Sequence, residues 1–347
     1  MAERSGKTSF KAKRAQKPYR LLADIGGTFA RFALQQPGKP ARKQRRYCCA
    51  DFPDIVAAVR AYYQDAKIGT PPIGAAFAVA APITGDMVRM TNHPWDFSIA
   101  GIRRALDAET LVVVNDFHAI AESIPFLTPS QTRKIGVGKP APHAPIAVLG
   151  PGTGFGVGAL VPVADDSNSG LVWHAIATEG GHASLAANTA REIAVIQQLR
   201  HRYSHVSIEH CLAGQGLINL YRALAEMEGK TALDLSPPDI TRRARKGDPL
   251  SGEAIAMFCA MLGATAGDLA LTFGARGGVY IAGGIVPKLG ALFDTKLFRR
   301  RFVAKDRYRA YLTQIPTYLI THPVPALIGL AALLDRRARA AKGQVQR

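Results

Sequence analysis

An acid, two glycines and a hydroxyl lie within five residues of the segment LADIGGTFAR, at residues 22–31. Glycine lets backbone N–H groups approach phosphate oxygens, the Thr28 hydroxyl adds a donor, and Asp24 can hold Mg²⁺ directly or through water. A hairpin corner would explain the glycines alone, but it would leave Asp24 and Thr28 without a role. We therefore predict a phosphate-binding turn, whose candidate nucleotide contacts are Ala23, Asp24, Ile25, Gly26, Gly27 and Thr28.

A second glycine-rich turn has the sequence GPGTGFG, at residues 150–156. The spacing from Gly154 to Ala159 formally matches a weak dinucleotide fingerprint, but that fingerprint must open a helix, and the following VGALVPV is β-like. Two phosphate-binding hairpins that face each other across a cleft would hold a nucleoside triphosphate without a P-loop lysine. The candidate contacts in this turn are Gly152, Thr153 and Gly154.

The elements that must position these turns follow a repeated pattern. Each turn lies in a strand-turn-strand unit at the start of a half that contains later helices, which suggests an internal duplication. Another strand is expected around residues 41–49. Apolar residues at helical spacing predict helices at residues 53–66, 188–201, 216–228, 239–246 and 249–273.

The net charge of +18 could indicate a nucleic-acid partner, so its distribution matters. Residues 1–20 carry +6, residues 42–46 carry +4 and residues 333–347 carry +4. The excess is therefore expected in a tail, one loop and the C-terminal end, without a helix-turn-helix, zinc-finger or RNP pattern. This distribution predicts solvated surface charge and no specific nucleic-acid partner.

Cysteine use and hydropathy indicate the cellular compartment in which the protein is expected. Four cysteines are scattered without C-x-x-C spacing, so neither a disulfide framework nor a zinc knuckle is expected. The most apolar helical run, at residues 254–267, is too short to cross a bilayer. The sequence therefore predicts a soluble, cytoplasmic protein with no membrane contact.

Six short motifs occur in order along residues 20–330: DIGGT, NDF, GPGTGFG, TEGGH, IEHCLAG and IAGGIVP. Together they resemble the bacterial glucokinases, which share a fold with other sugar kinases, heat-shock ATPases and actin. The resemblance implies an α/β, two-domain actin-like ATPase (ribonuclease H-like) fold with a cleft between a small and a large domain. It also implies an enzyme that uses ATP and Mg²⁺ to phosphorylate glucose at the 6-hydroxyl, usually as a homodimer.

The resemblance also divides the chain. Residues 1–18 are expected to form a disordered basic tail, residues 19–115 a small α/β domain, and residues 116–324 a large α/β domain. A C-terminal helix at residues 325–341 would return to complete the small domain.

Asp116 is the candidate catalytic residue. It follows the apolar strand LVVV and Asn115, and precedes a helical segment. An acid at a strand end beside a helix N-terminus can accept a proton from a substrate hydroxyl, but it could equally serve only as the helix cap. The resemblance implies that Asp116 is the general base toward the sugar 6-hydroxyl and that Asn115 binds a sugar hydroxyl.

Carboxylates and an imidazole can bind adjacent sugar hydroxyls. Because the spacing in TEGGH is similar to the family's sugar loop, the resemblance implies that Glu179, His182 and Glu209 bind the hexose ring. His182 could instead be an ordinary polar residue or a zinc ligand, although the cysteine cluster of related zinc-bearing sugar kinases is missing.

The resemblance extends less specifically to two further segments. Asn92, in TNHPWDFSI, is a weaker candidate sugar ligand, and Gly283 and Gly284, in IAGGIVP, are similar to the family's adenosine-side turn. The chain departs from the family pattern at Phe29, where asparagine is usual.

Two other functions remain open from the sequence. One is a kinase for another hexose, such as fructose or mannose, since a single sugar hydroxyl would distinguish these substrates. The other is a non-catalytic sugar sensor whose basic tail binds nucleic acid. A sensor of that kind would need a folded DNA-reading module before residue 20, where few residues are available.

Overall fold

Two mixed β-sheets form the centre of the molecule in the computed structural model, which describes residues 18–91, 93–165 and 170–345. The first sheet consists of β1 (Arg20–Ile25), β2 (Phe29–Gln35), β3 (Arg42–Cys48), β4 (Gly74–Val79) and β7 (Leu111–Asn115). Its order is β3-β2-β1-β4-β7; β1, β2 and β3 pair antiparallel, and β1, β4 and β7 pair parallel. A separate two-stranded ribbon is formed by β5 (Met87–Arg89) and β6 (Asp96–Ser98).

The second sheet repeats this plan. Its strands are β8 (Thr132–Ile135), β9 (Ile146–Pro151), β10 (Phe155–Asp165), β11 (Gly170–Thr178), β12 (Gly278–Ile281) and β13 (Thr317–Ile320). The order is β11-β10-β9-β12-β13-β8; β9, β10 and β11 pair antiparallel, and β9, β12 and β13 pair parallel. Five strands of each sheet therefore share order and direction, which supports the internal duplication suggested by the two glycine turns.

The helices lie close to their predicted positions. The five helices predicted from periodicity begin and end within two residues of α1, α4, α6, α7 and α8, whereas α2, α10 and α11 are short helices that the periodicity did not reveal. In chain order the helices are α1 (Ile55–Asp65), α2 (Ile99–Ala105), α3 (Asp116–Ser123), α4 (Ala190–Arg200), α5 (Glu209–Leu212), α6 (Gly214–Met227), α7 (Pro237–Arg245), α8 (Pro249–Thr272), α9 (Ile285–Leu289), α10 (Thr295–Phe302), α11 (Arg309–Gln314) and α12 (Pro325–Val345).

Polar residues fix the starts of the predicted helices. Asp54 accepts a hydrogen bond from the Ala57 N–H at the start of α1 (2.7 Å), and Thr189 caps α4 in the same way. Ser236 and Asp239 form a capping box at α7. Each cap satisfies backbone donors that would otherwise lack a partner, so the boundaries follow from local sequence.

Helix α8 corrects the hydropathy argument. It spans 24 residues and is long and apolar enough to cross a membrane. Our expectation that the apolar run would be too short for this was therefore wrong. However, 78% of its most apolar window is buried in the fold, as in the core helix of a soluble protein. Two of its glycines allow this packing, because a Cβ on Gly263 or Gly267 would lie only 2.2 or 2.4 Å from a carbonyl oxygen of α10.

The basic segment 42–46 lies in β3, as the strand pattern predicted, and not in a loop, as the charge analysis assumed. Residues 42–46 of this strand are exposed, since β3 is the edge of the first sheet.

Helix α12 returns to the first sheet. Leu327 and Leu330 pack with Leu22 of β1 and Ala76 of β4 in one buried cluster. The helix also crosses α3 closely: a Cβ on Gly329 would lie 1.8 Å from the Ala119 carbonyl oxygen. Helix α3, which begins at Asp116, is therefore held between α12 and the second sheet.

Candidate active site

The first glycine turn closes the β1–β2 hairpin. The Gly26 N–H donates to the Phe29 carbonyl (3.0 Å), so Gly27 and Thr28 form the tip, with Thr28 exposed. A Cβ added to Gly26 would meet only the Phe29 carbonyl oxygen at 3.7 Å, an ordinary contact. The fold itself therefore leaves room for a side chain at this position, so packing does not require glycine there.

Asp24 is held in this hairpin by an arginine that the sequence analysis did not assign. The antiparallel register places Arg31 opposite Asp24, and the Arg31 Nη1 donates to the Asp24 Oδ2 (3.0 Å). Burial raises the pKa of Asp24, while Arg31 lowers it. The signal for Arg31 was present in LADIGGTFAR, because a two-residue hairpin tip at Gly27 and Thr28 fixes which residues face each other.

Ala23 and Ile25 do not share the exposure of the turn. Both side chains are fully buried in the core of the first sheet. Both residues also pair with β2 on one side and with β4 on the other. The structure gives them a packing role, so we restrict the candidate nucleotide contacts of this turn to Asp24, Gly26, Gly27 and Thr28.

The second glycine turn closes the β9–β10 hairpin. The Gly152 N–H donates to the Gly154 carbonyl (2.8 Å), and the Gly152 carbonyl accepts from the Gly214 N–H at the start of α6 (2.9 Å). Thr153 at the tip is exposed. A Cβ on Gly152 would have only one neighbour, at 3.8 Å, so here too the fold does not require glycine.

The flanking glycines of this hairpin have a different role. A Cβ on Gly156 would lie 1.8 Å from the Phe117 ring, and one on Gly150 would lie 2.8 Å from the same ring. Phe117 follows Asp116 directly in α3, so these glycines admit the helix that carries the candidate base.

The Gly283–Gly284 turn lies against the second hairpin. Gly283 has a φ of +81°, and a Cβ there would lie 2.3 Å from the Pro151 carbonyl oxygen. The predicted adenosine-side turn and the predicted phosphate turn are therefore neighbours. Gly284 immediately precedes α9 and has nothing within 4 Å of its Cβ position.

Asn115 and not Asp116 caps α3. The Asn115 Oδ1 accepts from the N–H groups of Phe117 (2.8 Å) and His118 (3.3 Å), and its Nδ2 lies 3.4 Å from the Ala81 carbonyl oxygen. Asn115 is therefore the N-cap residue, and the Asp116 Oδ1 shares the Phe117 N–H (2.9 Å) from the first position of the helix. Because the amide of Asn115 is engaged by the fold, its first role is to fix the start of the helix that holds Asp116.

The electrostatics around Asp116 suit a general base. Burial, with the nearby carboxylates of Asp24 and Glu179, raises its pKa to about 7 against hydrogen bonds from the backbone. A group of this pKa exchanges protons readily near neutral pH. Asp24 and Glu179 thus act electrostatically on Asp116, although the three residues are distant in sequence.

The remaining candidate sugar ligands meet the second hairpin at Phe155. The Glu209 Oε2 accepts from the Phe155 N–H (2.7 Å), and a Cβ on Gly181 would lie 1.9 Å from the Phe155 carbonyl oxygen. The His182 Nε2 lies 4.0 Å from the Glu179 Oε2, and both side chains are half exposed. Glu179 and His182 thus have side-chain surface available to a ligand, and Glu209 is held against the second hairpin.

Two further residues from the sequence analysis are Asn92 and Phe29. Asn92 lies outside the described residues, so its position is not given. Phe29, the departure from the family pattern, lies under the guanidinium of Arg46, which is 4.5 Å from the centre of its ring. An apolar ring stacked with a cation thus stands next to the first turn.

Comparison with known proteins gives one consistent family. A family model described as Glucokinase matches residues 21–337. The chain is 49% identical to the glucokinase of Paramagnetospirillum magneticum over 90% of this chain and 97% of the relative. It is 48% identical to the bifunctional protein glk of Paraburkholderia xenovorans, of which it spans 48%.

A solved structure agrees with these sequence matches. A crystal structure of the glucokinase from an Antarctic psychrotroph superposes with a TM-score of 0.79 at 36% identity. The match covers 92% of this chain and 100% of that one.

Proposed function

The chain belongs to the glucokinase family of ATP-dependent hexose kinases and has its two-domain, actin-like ATPase fold; from this premise we propose that it transfers the γ-phosphoryl group of ATP to the 6-hydroxyl of glucose. The observation that carries the assignment is Asp116. Its partly buried carboxyl group lies at the start of α3, and burial and the charges of Asp24 in the first hairpin and Glu179 in the sugar loop raise its pKa to about 7. We assign it as the base that takes the proton of the attacking hydroxyl.

The two hairpin turns are proposed to hold the triphosphate. Their tips offer backbone N–H groups and the exposed hydroxyls of Thr28 and Thr153. Packing within the fold does not require glycine at Gly26 or Gly152. Gly283 and Gly284 would lie against the adenosine, since they adjoin the second hairpin at Pro151. Phosphoryl transfer would then depend on positioning and charge stabilisation, with little covalent chemistry by the protein.

Magnesium fits this arrangement. Among the described residues no three His, Cys, Asp or Glu side chains form a ready cluster, so Mg²⁺ would take most of its ligands from phosphate oxygens and water. Asp24 is the residue that would hold it, since its carboxylate is fixed beside the turn by Arg31. Bound Mg²⁺ neutralises charge on the phosphates.

The hexose is proposed to bind between Asp116 and the second hairpin. Glu179, His182 and Glu209 would accept from and donate to its ring hydroxyls, with Asn115 at the start of α3 and Asn92 as further candidates. Unpaired buried polar groups disfavour a sugar that lacks a matching hydroxyl, so this set would also select among hexoses.

Closure of two domains is the proposed conformational step. We place the small domain at residues 19–115 with the C-terminal helix, and the large domain at residues 116–324, so that the two hairpins approach each other and exclude water from the reacting groups. A cytoplasmic homodimer without a specific nucleic-acid partner is the assembly that we propose.

Purified protein in a coupled assay with ATP and a panel of glucose, fructose and mannose tests this function. We expect the highest kcat/KM with glucose and none without Mg²⁺. A higher value with fructose or mannose would favour the other hexose kinase, and binding of glucose without turnover would favour the sensor. ADP release without glucose serves as the control for a contaminating ATPase.

A further inference from the structure

A basic cavity lies in the first sheet, away from the proposed active site. It has a volume of about 350 Å³ and is bounded by Tyr19, the connection from β2 to β3 and the end of α1. Four of its lining residues are cations, namely Lys39, Arg42, Lys43 and Lys67, and its lining includes no acidic residue. A concave site of this size with only positive charges is built for an anion.

The backbone is irregular where it turns these cations to the cavity. The register between β2 and β3 shifts between Phe32 and Leu34, so Lys43 lies in a bulge, and it has a φ of +54°. Lys67 also has a positive φ, of +52°. Lys67 directly follows the C-cap of α1, where the Ile68 N–H donates to the Tyr63 carbonyl (2.9 Å), so its positive φ is an ordinary helix termination. At Lys43 the bulge redirects the side chain, and a non-glycine residue in the left-handed region costs conformational energy there.

Helix capping explains only one of the four. The Lys43 Nζ donates to the Ala66 carbonyl at the end of α1 (2.7 Å), which is a favourable place for a cation. Lys39, Arg42 and Lys67 have no carboxylate within ion-pair distance in the part of the chain that the structure describes. Three exposed like charges repel one another unless an anion lies between them.

We propose that this cavity binds a small anion that carries phosphate groups, at a site separate from the proposed active site. Several cations around one concavity favour a multiply charged phosphate compound over a single carboxylate. The volume of about 350 Å³ favours a small molecule over a nucleic-acid strand, which needs an extended groove.

The position of the cavity separates it from the glycine turn. Its residues Tyr19 and Gln36 lie at the opposite end of the β1–β2 hairpin from Gly27, a distance of roughly 20 Å along the strands. The proposal is therefore independent of the assigned sugar and nucleotide roles, and binding can be measured without turnover.

Isothermal titration with inorganic pyrophosphate and with glucose 6-phosphate, on the full chain with its proposed active site saturated by glucose and ADP, tests the proposal. The double variant Lys39→Ala, Lys67→Ala should bind at least one of them about tenfold more weakly at this site than the unchanged protein, because two of four cations are lost. Arg103→Ala is the matched control: it removes an exposed cation of α2 and should leave affinity unchanged. The two anions distinguish an inorganic from a sugar phosphate source.

Folding and kcat of the double variant should match the unchanged protein, since Lys39 and Lys67 are exposed and distant from Asp116. Equal affinity of the double variant and the unchanged protein for both anions would overturn the proposal, as would absence of binding at millimolar ligand in low salt. A loss of affinity for an oligonucleotide alone would also overturn it, because the cations would then serve a polymer.

Discussion

The two hairpins share a shape but differ in how they use it. The β1–β2 hairpin carries a partly buried ion pair between Asp24 and Arg31 beneath an open tip. The β9–β10 hairpin has an equally open tip at Gly152, but its strands are cleared of side chains at Gly150 and Gly156 to admit Phe117. One hairpin contributes charge and the other contributes space.

This difference shows how a duplicated unit becomes an asymmetric site. Both tips can offer backbone N–H groups, so both can bind phosphate. Only the first hairpin places a carboxylate where it raises the pKa of Asp116, and only the second accepts the helix that carries Asp116. The candidate base therefore depends electrostatically on one repeat and sterically on the other.

The largest expected effect follows from removing the group on which both hairpins act. Asp116→Asn keeps the size of the side chain and removes the carboxylate, so turnover should fall by roughly 10² to 10⁴ while glucose and ATP still bind. A coupled assay for turnover and isothermal titration for binding measure the two effects separately.

Stability provides the control for this variant. The pKa of Asp116 is raised in the fold, so its ionisation destabilises the folded state as pH rises from about 4, where an unfolded aspartate ionises. The asparagine variant should therefore unfold at no lower temperature than the unchanged protein at pH 8. An undiminished kcat would refute the catalytic assignment.

A pair of alanine substitutions separates space from charge. Gly156→Ala places a Cβ 1.8 Å from the Phe117 ring and should lower the free energy of unfolding by about 1–3 kcal/mol. Gly26→Ala meets only one atom at 3.7 Å, so it should fold normally but bind ATP more weakly. Chemical denaturation and nucleotide titration of both variants test this contrast, and equal stability losses would contradict it.

The pH profile tests the charge of the first hairpin. Because Asp116 must be ionised to act as a base, kcat/KM should fall by about tenfold per pH unit below pH 7. Asp24→Asn removes a neighbouring negative charge, so the midpoint of this fall should move to lower pH, whatever happens to the maximal rate. A midpoint that does not move would show that Asp24 does not act on Asp116.

The smallest effect is expected at His182, in the loop that packs against the second hairpin. His182→Ala removes a half-exposed partner and should raise the KM for glucose about fivefold with little change in the KM for ATP. Steady-state kinetics with each substrate varied in turn measure both values. Similar increases in the two KM values would place His182 in the framework of the fold.

Local sequence was sufficient for the turns, the helix starts and the identity of the acidic candidates. The structure was needed for relations between distant residues. The hairpin register in LADIGGTFAR already implied that Arg31 faces Asp24, but only the structure showed their ion pair. The cap of α3 proved to be Asn115, whose side chain accepts from the N–H groups of Phe117 and His118, whereas that of Asp116 accepts from Phe117 alone. Gly156 showed a packing role that its motif could not reveal, since Phe117 is distant in the chain. Such contacts depend on how sheets and helices meet, which no single segment encodes.

The return of α12 to the first sheet bears on the order in which the molecule folds. Leu22 of β1 shares a buried cluster with Leu330, which a ribosome would synthesise about 300 residues later, roughly 15–60 s at ordinary elongation rates. During that interval the face of β1 and β4 that α12 later covers lacks Leu327 and Leu330 as packing partners. Contacts this distant in sequence slow folding, so the sheet that contains the first glycine turn is expected to be the last to become stable.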